Sequence, residues 1–439
     1  MSRSVAALIL AAGKGTRMRS GRPKVLHPLL GRPLVQFPID LAQELGCDPI
    51  VVVVGHGAED VRRAIAGFPE VRIALQPEQR GTGDAVRCGL EALQGFSGKV
   101  LILSGDVPLL RRETIDQLVD ADQDFALVTA HAPEPRGYGR ILRGRDGLVE
   151  RIVEDRDASA AQHAVREINA GIYCISAAFL RNHLAELSTN NAQQELYLTD
   201  LVAKARPEVT AILAPLDEIS GVNDRADLAR LTGLLQARVN REHLLAGVTL
   251  IDPASTHIDL GVEIAADVVI EPGCVLSGAT SIGEGTRIRA NSALEAARVG
   301  RKCTVGPFAR LRPGTVLSDD VHIGNFVETK NAHLAEGAKA NHLTYLGDAR
   351  VGKKTNIGAG TITCNYDGVN KHLTEIGEGV FIGSDTQLVA PVRVGDGAYV
   401  AAGTTVVEDV PADSLVLTRA VRVTKEGWAK KRRTRNTTP

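Results

Sequence analysis

The chain has 439 residues, enough for two or three domains, and its 51 basic and 52 acidic side chains nearly cancel. This balance excludes a global field of the kind that attracts nucleic acid or a membrane surface; only residues 425–435 form a basic cluster, for which a solvated terminus is the default interpretation. Six cysteines without a CxxC pair argue against a disulfide framework or a zinc cage and suit a reducing, cytoplasmic compartment.

The first half alternates strand-like apolar runs with helical patterns. The strands are predicted at Val5–Leu10, Ile50–Val54, Val100–Leu103 and Phe125–Ala130, and the helices at 34–45, 58–66, 84–94 and 111–121. Glycines follow the first apolar run at once, which makes it a core strand and not a secretion signal. This rhythm predicts an α/β, doubly wound (Rossmann-like), largely parallel sheet.

A glycine-rich loop follows the first strand, from Ala11 to Met18. Its glycines let consecutive backbone N–H groups turn toward an anion, and Lys14 and Arg17 add positive charge, so the loop points to nucleotide phosphates. It is not the dinucleotide fingerprint GxGxxG, whose third glycine would fall at Met18, and no Walker loop is present. Asp106 follows a later strand, at the carboxyl edge where open α/β sheets bind ligands.

Residues 226–246 carry one apolar stripe at helical spacing and are predicted to form a rigid connecting helix. The predicted organisation is therefore a first domain over 1–225, a helical linker over 226–246 and a second domain over 247–439.

The second half carries aliphatic residues six positions apart, usually followed by a small residue. They are Ile264, Ile270, Leu276, Ile282, Ile288 and Leu294, then Val299, Val305, Leu311, Leu317 and Ile323, then Val351 and Ile357, and finally Ile376, Ile382, Leu388, Val394, Val400 and Val406. This period fits neither a helix nor an alternating strand, and it predicts a parallel β-helix whose turns stack one aliphatic residue inward.

The ladder breaks around 325–350 and 363–375, where insertions are expected to carry the binding chemistry. Around these breaks lies a polar constellation: Arg310, Arg312, Glu328, Lys330, His342, Tyr345, Asn356, Asn365, Tyr366 and Lys371. Taken alone, clustered charge on a β-helix is usually a solvated face.

LAAGKGTRM followed by PKVLH resembles the signature of sugar-phosphate nucleotidyltransferases. With GPFARLRPG, GNFVETK, NHLTYLGDA, NIGAGTITCNYDG and FIGSDTQLVAPV behind it, nearly all of residues 5–428 resembles the family of bifunctional N-acetylglucosamine-1-phosphate uridylyltransferases/glucosamine-1-phosphate N-acetyltransferases. The resemblance implies a left-handed β-helix of hexapeptide repeats, a homotrimer, and small-molecule substrates that include acetyl-CoA and UTP.

For the first domain the resemblance implies a site for UTP and UDP-N-acetylglucosamine. Its residues are Leu10, Ala11, Ala12, Gly13, Arg17, Lys24, Gln76, Gly81, Thr82, Gly139, Glu154, Asn169 and Asn223. Asp106 and Asn223 resemble ligands of Mg²⁺, a hard cation that suits both side chains and a triphosphate. Two residues depart from the family pattern and leave nucleotide selectivity open: Asp84 stands where histidine is usual, and Ser104 where tyrosine is common.

For the second domain the resemblance implies acyl transfer to an amine. His342 matches the base, Glu328 the carboxylate that orients it, and the backbone N–H of Ala359 the oxyanion donor. The acceptor sugar phosphate would contact Arg312, Lys330, Tyr345, Asn356 and Lys371. Acetyl-CoA would contact Ala359, Asn365, Tyr366, Ser384, Ala402 and Arg419.

The resemblance therefore predicts two steps: acetylation of glucosamine 1-phosphate, then transfer of UMP from UTP with release of pyrophosphate, to feed bacterial cell-wall synthesis. Three alternatives stay open. The β-helix could be a non-catalytic assembly module, as in relatives that make ADP-glucose, or the whole chain a scaffold that binds a sugar nucleotide without turnover. His322, His333 and His342 could instead hold zinc.

Overall fold

In the computed structural model, which describes residues 4–419 and 421–435, the first apolar run forms an interior strand of a nine-stranded sheet. The strands of this half are β1 Val5–Ala11, β2 Pro28–Leu29, β3 Arg32–Pro33, β4 Ile50–Val54, β5 Val71–Leu75, β6 Lys99–Ser104, β7 Phe125–His131, β8 Arg140–Arg143, β9 Val149–Val153, β10 Glu167–Ser176 and β11 Val209–Leu213. The helices are α1 Gln36–Glu44, α2 Ala58–Ala64, α3 Thr82–Glu91, α4 Arg112–Asp120, α5 Ala160–His163, α6 Ala177–His183, α7 Leu201–Ala205, α8 Leu216–Ile219 and α9 Arg225–Leu245. Short 3₁₀ turns lie at Thr16–Met18, Lys24–Leu26, Leu184–Glu186 and Leu198–Asp200.

The sheet confirms the predicted doubly wound architecture. Its strand order is β11-β7-β10-β6-β1-β4-β5, and β5, β4, β1 and β6 pair in parallel. The strand β10 was not predicted, and it runs antiparallel to both β6 and β7. Because the parallel strands share one direction, their carboxyl ends meet along one edge, where the glycine loop also begins.

A hydrophobic layer covers each face of this sheet. In β1, Ala7 and Ile9 belong to one buried cluster, whereas Ala6 and Leu8 belong to the other. Burial on both faces is why the strand reads as an unbroken apolar run and does not alternate with polar residues.

The chain divides into two units, Met1–Gln236 and Ala237–Pro439, and the division falls inside α9. Over the residues that the structure describes, no helix has both the length and the apolar character that crossing a membrane requires.

The second unit consists of short strands that pair in parallel along three faces. In chain order they are β12 Thr249–Leu250, β13 His257–Ile258, β14 Glu263–Ile264, β15 Val269–Ile270, β16 Val275–Ser277, β17 Ser281–Ile282, β18 Arg287–Ile288, β19 Ala293–Glu295, β20 Arg298–Val299, β21 Thr304–Val305, β22 Arg310–Leu311, β23 Val316–Leu317, β24 His322–Asn325, β25 Glu328–Leu334, β26 Lys339–His342, β27 Tyr345–Val351, β28 Asn356–Ile357, β29 Ile362–Cys364, β30 Thr374–Ile376, β31 Phe381–Ile382, β32 Gln387–Val389, β33 Val392–Val394, β34 Tyr399–Val400, β35 Thr405–Val406 and β36 Leu415–Val416. A last helix, α10 Trp428–Arg435, lies in the basic terminal cluster.

The first face holds β12, β15, β18, β21, β24, β26, β28, β31, β34 and β36. The second runs through β13, β16, β19 and β22 and the third through β14, β17, β20 and β23, and the two longer strands β25 and β27 each serve both. This is the parallel β-helix that the six-residue period predicts.

The ladder residues point inward. Every one of them is at most 4% exposed except Ile264, which is partly exposed because β14 is the first strand of its face. Each buried aliphatic side chain contributes roughly 1.5–3 kcal/mol relative to exposure, so the stack is the core of this unit.

The prediction of an insertion at 325–350 is wrong. Regular strands β25, β26 and β27 cover this stretch, and Thr329 and Ala340 take the inward positions with 0% exposure. The stack of inward-facing residues thus continues here with a hydroxyl-bearing and a small side chain, which a search for aliphatic residues alone does not count. The break at 363–375 is a true excursion, since the chain leaves the stack between β29 and β30, and Tyr366 and Lys371 form an antiparallel bridge there.

Candidate active sites

The glycine loop begins where β1 ends, so Leu10 and Ala11 lie in the strand and Ala12 and Gly13 follow it. A Cβ added to Gly13 would meet open space, and this residue is exposed, so its backbone is accessible to a ligand. Gly15 differs: it has a left-handed φ of 58°, and an added Cβ would lie 2.5 Å from Lys24 Cβ. The second glycine therefore lets the PKVLH segment approach the loop closely.

Two cations of this region each contact a predicted magnesium ligand. Lys24 Nζ lies 2.5 Å from Asp106 Oδ2, and Arg17 Nη2 donates to Asn223 Oδ1 at 2.8 Å. The backbone N–H of Val222 donates to the carbonyl oxygen of Asp106 at 2.9 Å, which joins the two ligand segments. The structure therefore brings Arg17, Lys24, Asp106 and Asn223 together.

This set fits a hard divalent cation. Asp106 offers a carboxylate and Asn223 a carboxamide oxygen, and each already accepts from a positively charged side chain. Mg²⁺ is commonly held by one or two protein oxygens, with water and substrate phosphate completing its coordination. Over the described residues no cluster of three or more His, Cys, Asp or Glu side chains could hold a metal, so any magnesium site here depends on such outside ligands.

Gln76 and the Gly81-Thr82 turn meet beside the end of β5. The backbone N–H of Gln76 donates to Val54 O at 2.8 Å, and its Nε2 donates to Gly81 O at 3.2 Å. Thr82 Oγ1 accepts from the Leu198 backbone N–H at 3.1 Å, so its hydroxyl is used within the fold.

The three predicted sugar contacts also lie together. The backbone N–H of Asn169 donates to Gly139 O at 2.9 Å, and a Cβ on Gly139 would lie 3.5 Å from the Glu154 carboxylate. Burial raises the pKa of Glu154, against a hydrogen bond of 3.0 Å from Thr199 Oγ1 that lowers it. Nearby, the buried Arg140 donates to Asp155 at 2.9 Å and so ties together the residues that follow Gly139 and Glu154, a link that the sequence did not reveal.

On the second face, four charged side chains of the constellation cluster. Arg312 Nη1 donates to Glu328 Oε1 at 2.8 Å. The neighbouring Lys371 ammonium, through hydrogen bonding and charge, and then the charge of Arg312 lower the pKa of Lys330. Such a concentration of cations suits a phosphate.

Tyr345 stacks on Glu328 in register, and a Cβ on Gly347 would fall 2.3 Å from the Tyr345 hydroxyl. Asn356 lies elsewhere, on the first face between Lys339 and Phe381. The structure of one chain thus brings Tyr345 to the cation cluster but not Asn356.

His342 has a partner that the sequence did not suggest. Its Nδ1 lies 3.1 Å from Asn325 Oδ1, one turn earlier in the same register. The carboxylate of Glu328 is bonded to Arg312 instead. The GNFVETK segment carries both candidates, and only the register of β24 against β26 selects Asn325.

One corner of the β-helix lines up His342 with much of the predicted acetyl-CoA contact set. Each member comes two residues after an inward residue of the first face, in the stack Ile323, Ala340, Ile357, Ile382 and Val400. The column is Asn325, His342, Ala359, Ser384 and Ala402. Among the described backbone hydrogen bonds, the N–H groups of Ala359, Ser384 and Ala402 have no acceptor, so they are free to bind a carbonyl oxygen.

The remaining predicted acetyl-CoA contacts lie around this column. Arg419 Nη1 donates to Ala402 O at 2.8 Å, at the end of the corner. Asn365 donates to Asp348, and the Tyr366 hydroxyl donates to Gly368 O at 2.6 Å within the excursion after β29. The zinc alternative does not fit this geometry, because His322 points outward from the first face and His333 from the third.

Comparison with family models gives two matches. Residues 7–200 match the MobA-like NTP transferase domain, and residues 373–407 match the bacterial transferase hexapeptide with six repeats. The second match agrees with the left-handed β-helix that the sequence resemblance implies.

Curated relatives match the chain over nearly its whole length. The "Bifunctional protein GlmU" of Pelobacter propionicus is 52% identical over 97% of this chain and 98% of its own. Those of Trichlorobacter lovleyi and of Anaeromyxobacter sp. (strain Fw109-5) are each 51% identical over 98% of this chain, and over 98% and 93% of their own.

Proposed function

The chain belongs to the family of bifunctional GlmU proteins, and from that premise we propose that it makes UDP-N-acetylglucosamine in two steps, one in each unit. It is an acyltransferase in the second unit and a nucleotidyltransferase in the first. Its substrates are glucosamine 1-phosphate, acetyl-CoA and UTP, and its product feeds cell-wall synthesis.

In the first step the amine of glucosamine 1-phosphate attacks the thioester carbonyl carbon of acetyl-CoA. The amine must lose a proton, and His342 takes it through Nε2, since Nδ1 faces Asn325. The carbonyl oxygen becomes an oxyanion, which the N–H of Ala359 stabilises. The C–S bond then breaks, and the coenzyme A thiolate receives the proton.

The observation that carries this assignment is the corner column. Adjacent parallel strands are about 4.8 Å apart, so the imidazole of His342 and the unpaired N–H of Ala359, one turn later at the same corner, can act on one acyl group. A β-helix that served only for assembly would not require a base beside a free amide donor.

In the second step a phosphate oxygen of N-acetylglucosamine 1-phosphate attacks the α-phosphorus of UTP, and pyrophosphate leaves. The loop at Gly13 holds the phosphates, and Arg17 and Lys24 offset the negative charge that develops. Gln76 and Gly81 hold the uracil, and Gly139, Glu154 and Asn169 hold the sugar. No covalent intermediate with the protein is required.

Mg²⁺ is the proposed metal, and Asp106 and Asn223 would hold it. When bound, it would offset charge on the triphosphate. Arg17 and Lys24 now contact these same two oxygens, so they are placed to transfer to the phosphates when the metal binds.

A homotrimer is the proposed assembly, with further copies of this chain against the corner beside His342. There Phe308, Phe326 and Leu343 are 49%, 55% and 62% exposed, and the two phenylalanine rings stack at 5.4 Å. Exposed apolar side chains in contact favour burial by a partner. A neighbouring chain would also explain how Asn356, on another face, can belong to the acceptor site.

The cytoplasm is the proposed compartment, because all six cysteines are free and five are buried, as a reducing environment allows.

Assay of the purified chain tests the whole proposal. Acetyl-CoA with glucosamine 1-phosphate should release coenzyme A, and UTP with N-acetylglucosamine 1-phosphate should release pyrophosphate. Pyrophosphate without coenzyme A release would leave only the nucleotidyltransferase. Binding of uridine nucleotide without either product would make the chain a scaffold.

A further inference from the structure

Asp84 is a buried carboxylate beside the residue proposed to read the base. It is 2% exposed, in the first turn of α3, and Gln76 beside it is 3% exposed. Gln76 Nε2 donates to Asp84 Oδ2 at 2.9 Å, and the other carboxylate oxygen accepts from Arg87 Nη2 at 2.6 Å. An acid so enclosed must have a specific partner, because burying an unpaired charge is costly.

The two partners of the Gln76 amide determine which way it points. A carbonyl oxygen on Gly81 and an ionised carboxylate on Asp84 can only accept hydrogen bonds. Both therefore require the NH₂ group of Gln76 and would repel its oxygen. Among the described hydrogen bonds no donor reaches Gln76 Oε1, so this oxygen is left to accept from a ligand.

An acceptor at this position distinguishes the pyrimidine bases. Uracil carries an N–H at position 3, whereas cytosine carries an unprotonated nitrogen there, which is itself an acceptor. Facing Gln76 Oε1, uracil gains a hydrogen bond, but cytosine brings two acceptors together and leaves both desolvated without a donor.

We propose that Asp84 is a specificity-determining positioning residue: it fixes the amide of Gln76 so that the site accepts UTP and rejects CTP. This role rests on the proposed uridylyltransferase activity and adds the residue that makes it selective. Asp84 acts through Gln76 and does not contact the nucleotide itself.

The surroundings keep Asp84 an acceptor. Burial by itself would raise the pKa of Asp84, but hydrogen bonds from Gln76 and Arg87 and the charge of Arg87 hold it below its usual value. The N-terminal turn of α3 favours negative charge further. Protonation, which would turn the carboxyl group into a donor, is thus prevented at neutral pH. A histidine, usual at this position in the family, can donate as well as accept, so the fixed orientation is a feature of this chain's carboxylate.

The test is Asp84→Asn, which keeps the shape but lets the side chain present either an oxygen or an NH₂ group. Pyrophosphate release is measured with UTP and with CTP, and the ratio of the two kcat/KM values is compared with that of the wild type. We expect the preference for UTP to fall roughly 10- to 100-fold, the value of one hydrogen bond to a charged group.

Two further variants separate orientation from stability. Arg87→Lys disturbs the hydrogen bonds between Arg87 and Asp84 but keeps a positive charge beside the carboxylate, so Asp84 stays ionised, Oδ2 still faces Gln76, and the preference for UTP should stay. Asp60→Asn is the control, because Asp60 pairs with Arg63 three residues later, as Asp84 does with Arg87, but at an exposed position of α2. This variant should leave the ratio of the two kcat/KM values unchanged.

Equal losses with UTP and CTP in Asp84→Asn, or an unchanged ratio, would overturn the positioning role while the uridylyltransferase assignment stands. A wild-type chain that releases no pyrophosphate would overturn both. If Asp84→Asn shows no cooperative thermal transition, Asp84→Ser serves instead, because its hydroxyl can also donate or accept, and the same fall in the ratio is expected.

Discussion

Asn325 Oδ1 lies 3.1 Å from Nδ1 of His342, and the two residues pair in register on adjacent turns of the β-helix. An amide oxygen in this place accepts a hydrogen bond from Nδ1–H and so favours the tautomer in which Nε2 is unprotonated, as a general base needs. Unlike a carboxylate, it does so without favouring the charged imidazolium.

Asn325→Ala should therefore lower kcat for acetyl transfer about tenfold, the value of one hydrogen bond, with little change in KM for acetyl-CoA. Asn325→Asp should restore the rate, because a carboxylate also accepts from Nδ1. A normal rate in Asn325→Ala, or a rate that Asn325→Asp does not restore, would argue against contact between the two side chains during catalysis.

His342→Ala should lower the rate of coenzyme A release about 100-fold or more, because the amine then has no base. Pyrophosphate release from preformed N-acetylglucosamine 1-phosphate should be unchanged, because that reaction belongs to the first unit, and an unchanged thermal transition serves as the control for folding of the second. Normal coenzyme A release in this variant would remove His342 as the base.

Removing divalent cations with a chelator should stop pyrophosphate release and leave coenzyme A release intact, and added Mg²⁺ should restore the former. Asp106→Asn should lower uridylyl transfer roughly 100-fold, with a higher Mg²⁺ concentration needed for half-maximal rate. A rate that does not depend on Mg²⁺ in either protein would contradict the metal assignment.

The ionised side chain of Glu154 is expected to lower the stability of the fold while it contributes to binding of the sugar phosphate. Burial raises its pKa, so at neutral pH the folded state holds a costly carboxylate, whereas below the pKa of the unfolded chain both states are protonated and the cost vanishes. Glu154→Gln should thus raise Tm at pH 7. The difference in Tm between variant and wild type should shrink as the pH falls through the pKa of Glu154 in the folded state and then in the unfolded state. The variant should also bind the sugar phosphate more weakly. The exposed Glu59→Gln offers a matched control without either effect. A gain in Tm that is independent of pH would show that charge is not its cause.

Phe308→Ser with Phe326→Ser should dissociate the assembly, as measured by analytical ultracentrifugation. Acetyl transfer should fall with it if the acceptor site needs a second chain, whereas uridylyl transfer should continue. Val407→Ser, at a position 64% exposed, is the control. A wild-type chain that sediments as a monomer would contradict the proposed trimer.

The repeat period was enough to predict the β-helix, because nearly every aliphatic residue in it points inward. The same pattern missed the turns at Thr329 and Ala340, because an inward position can also be occupied by a residue that is not a large aliphatic one. In the first unit, hydrophobicity predicted that β1 and β6 are strands. It missed β10 because Asn169 and Gly171 interrupt its apolar run, and it contains no information on the antiparallel direction of this strand.

The residues proposed for the sites were predicted from motifs, yet their contacts were not. Asn325 faces His342 only because of the register between two strands, and Arg312 holds Glu328. Asp84 was visible in the sequence as a departure from the family pattern. Its bond to Gln76 follows from the way α3 begins beside the end of β5.

The excursion after β29 has a consequence for how this scaffold can vary. The strands on either side of it keep their register, with Thr363 against Leu388 and Thr374 against Val392. Loop length can therefore change there without displacing the histidine or the amide donor one corner away. New acceptor preferences could be engineered by grafting after Tyr366, because Lys371 lies in this excursion whereas His342 and Ala359 do not. Asn365 and Tyr366, the proposed acetyl-CoA contacts of the excursion, would be kept.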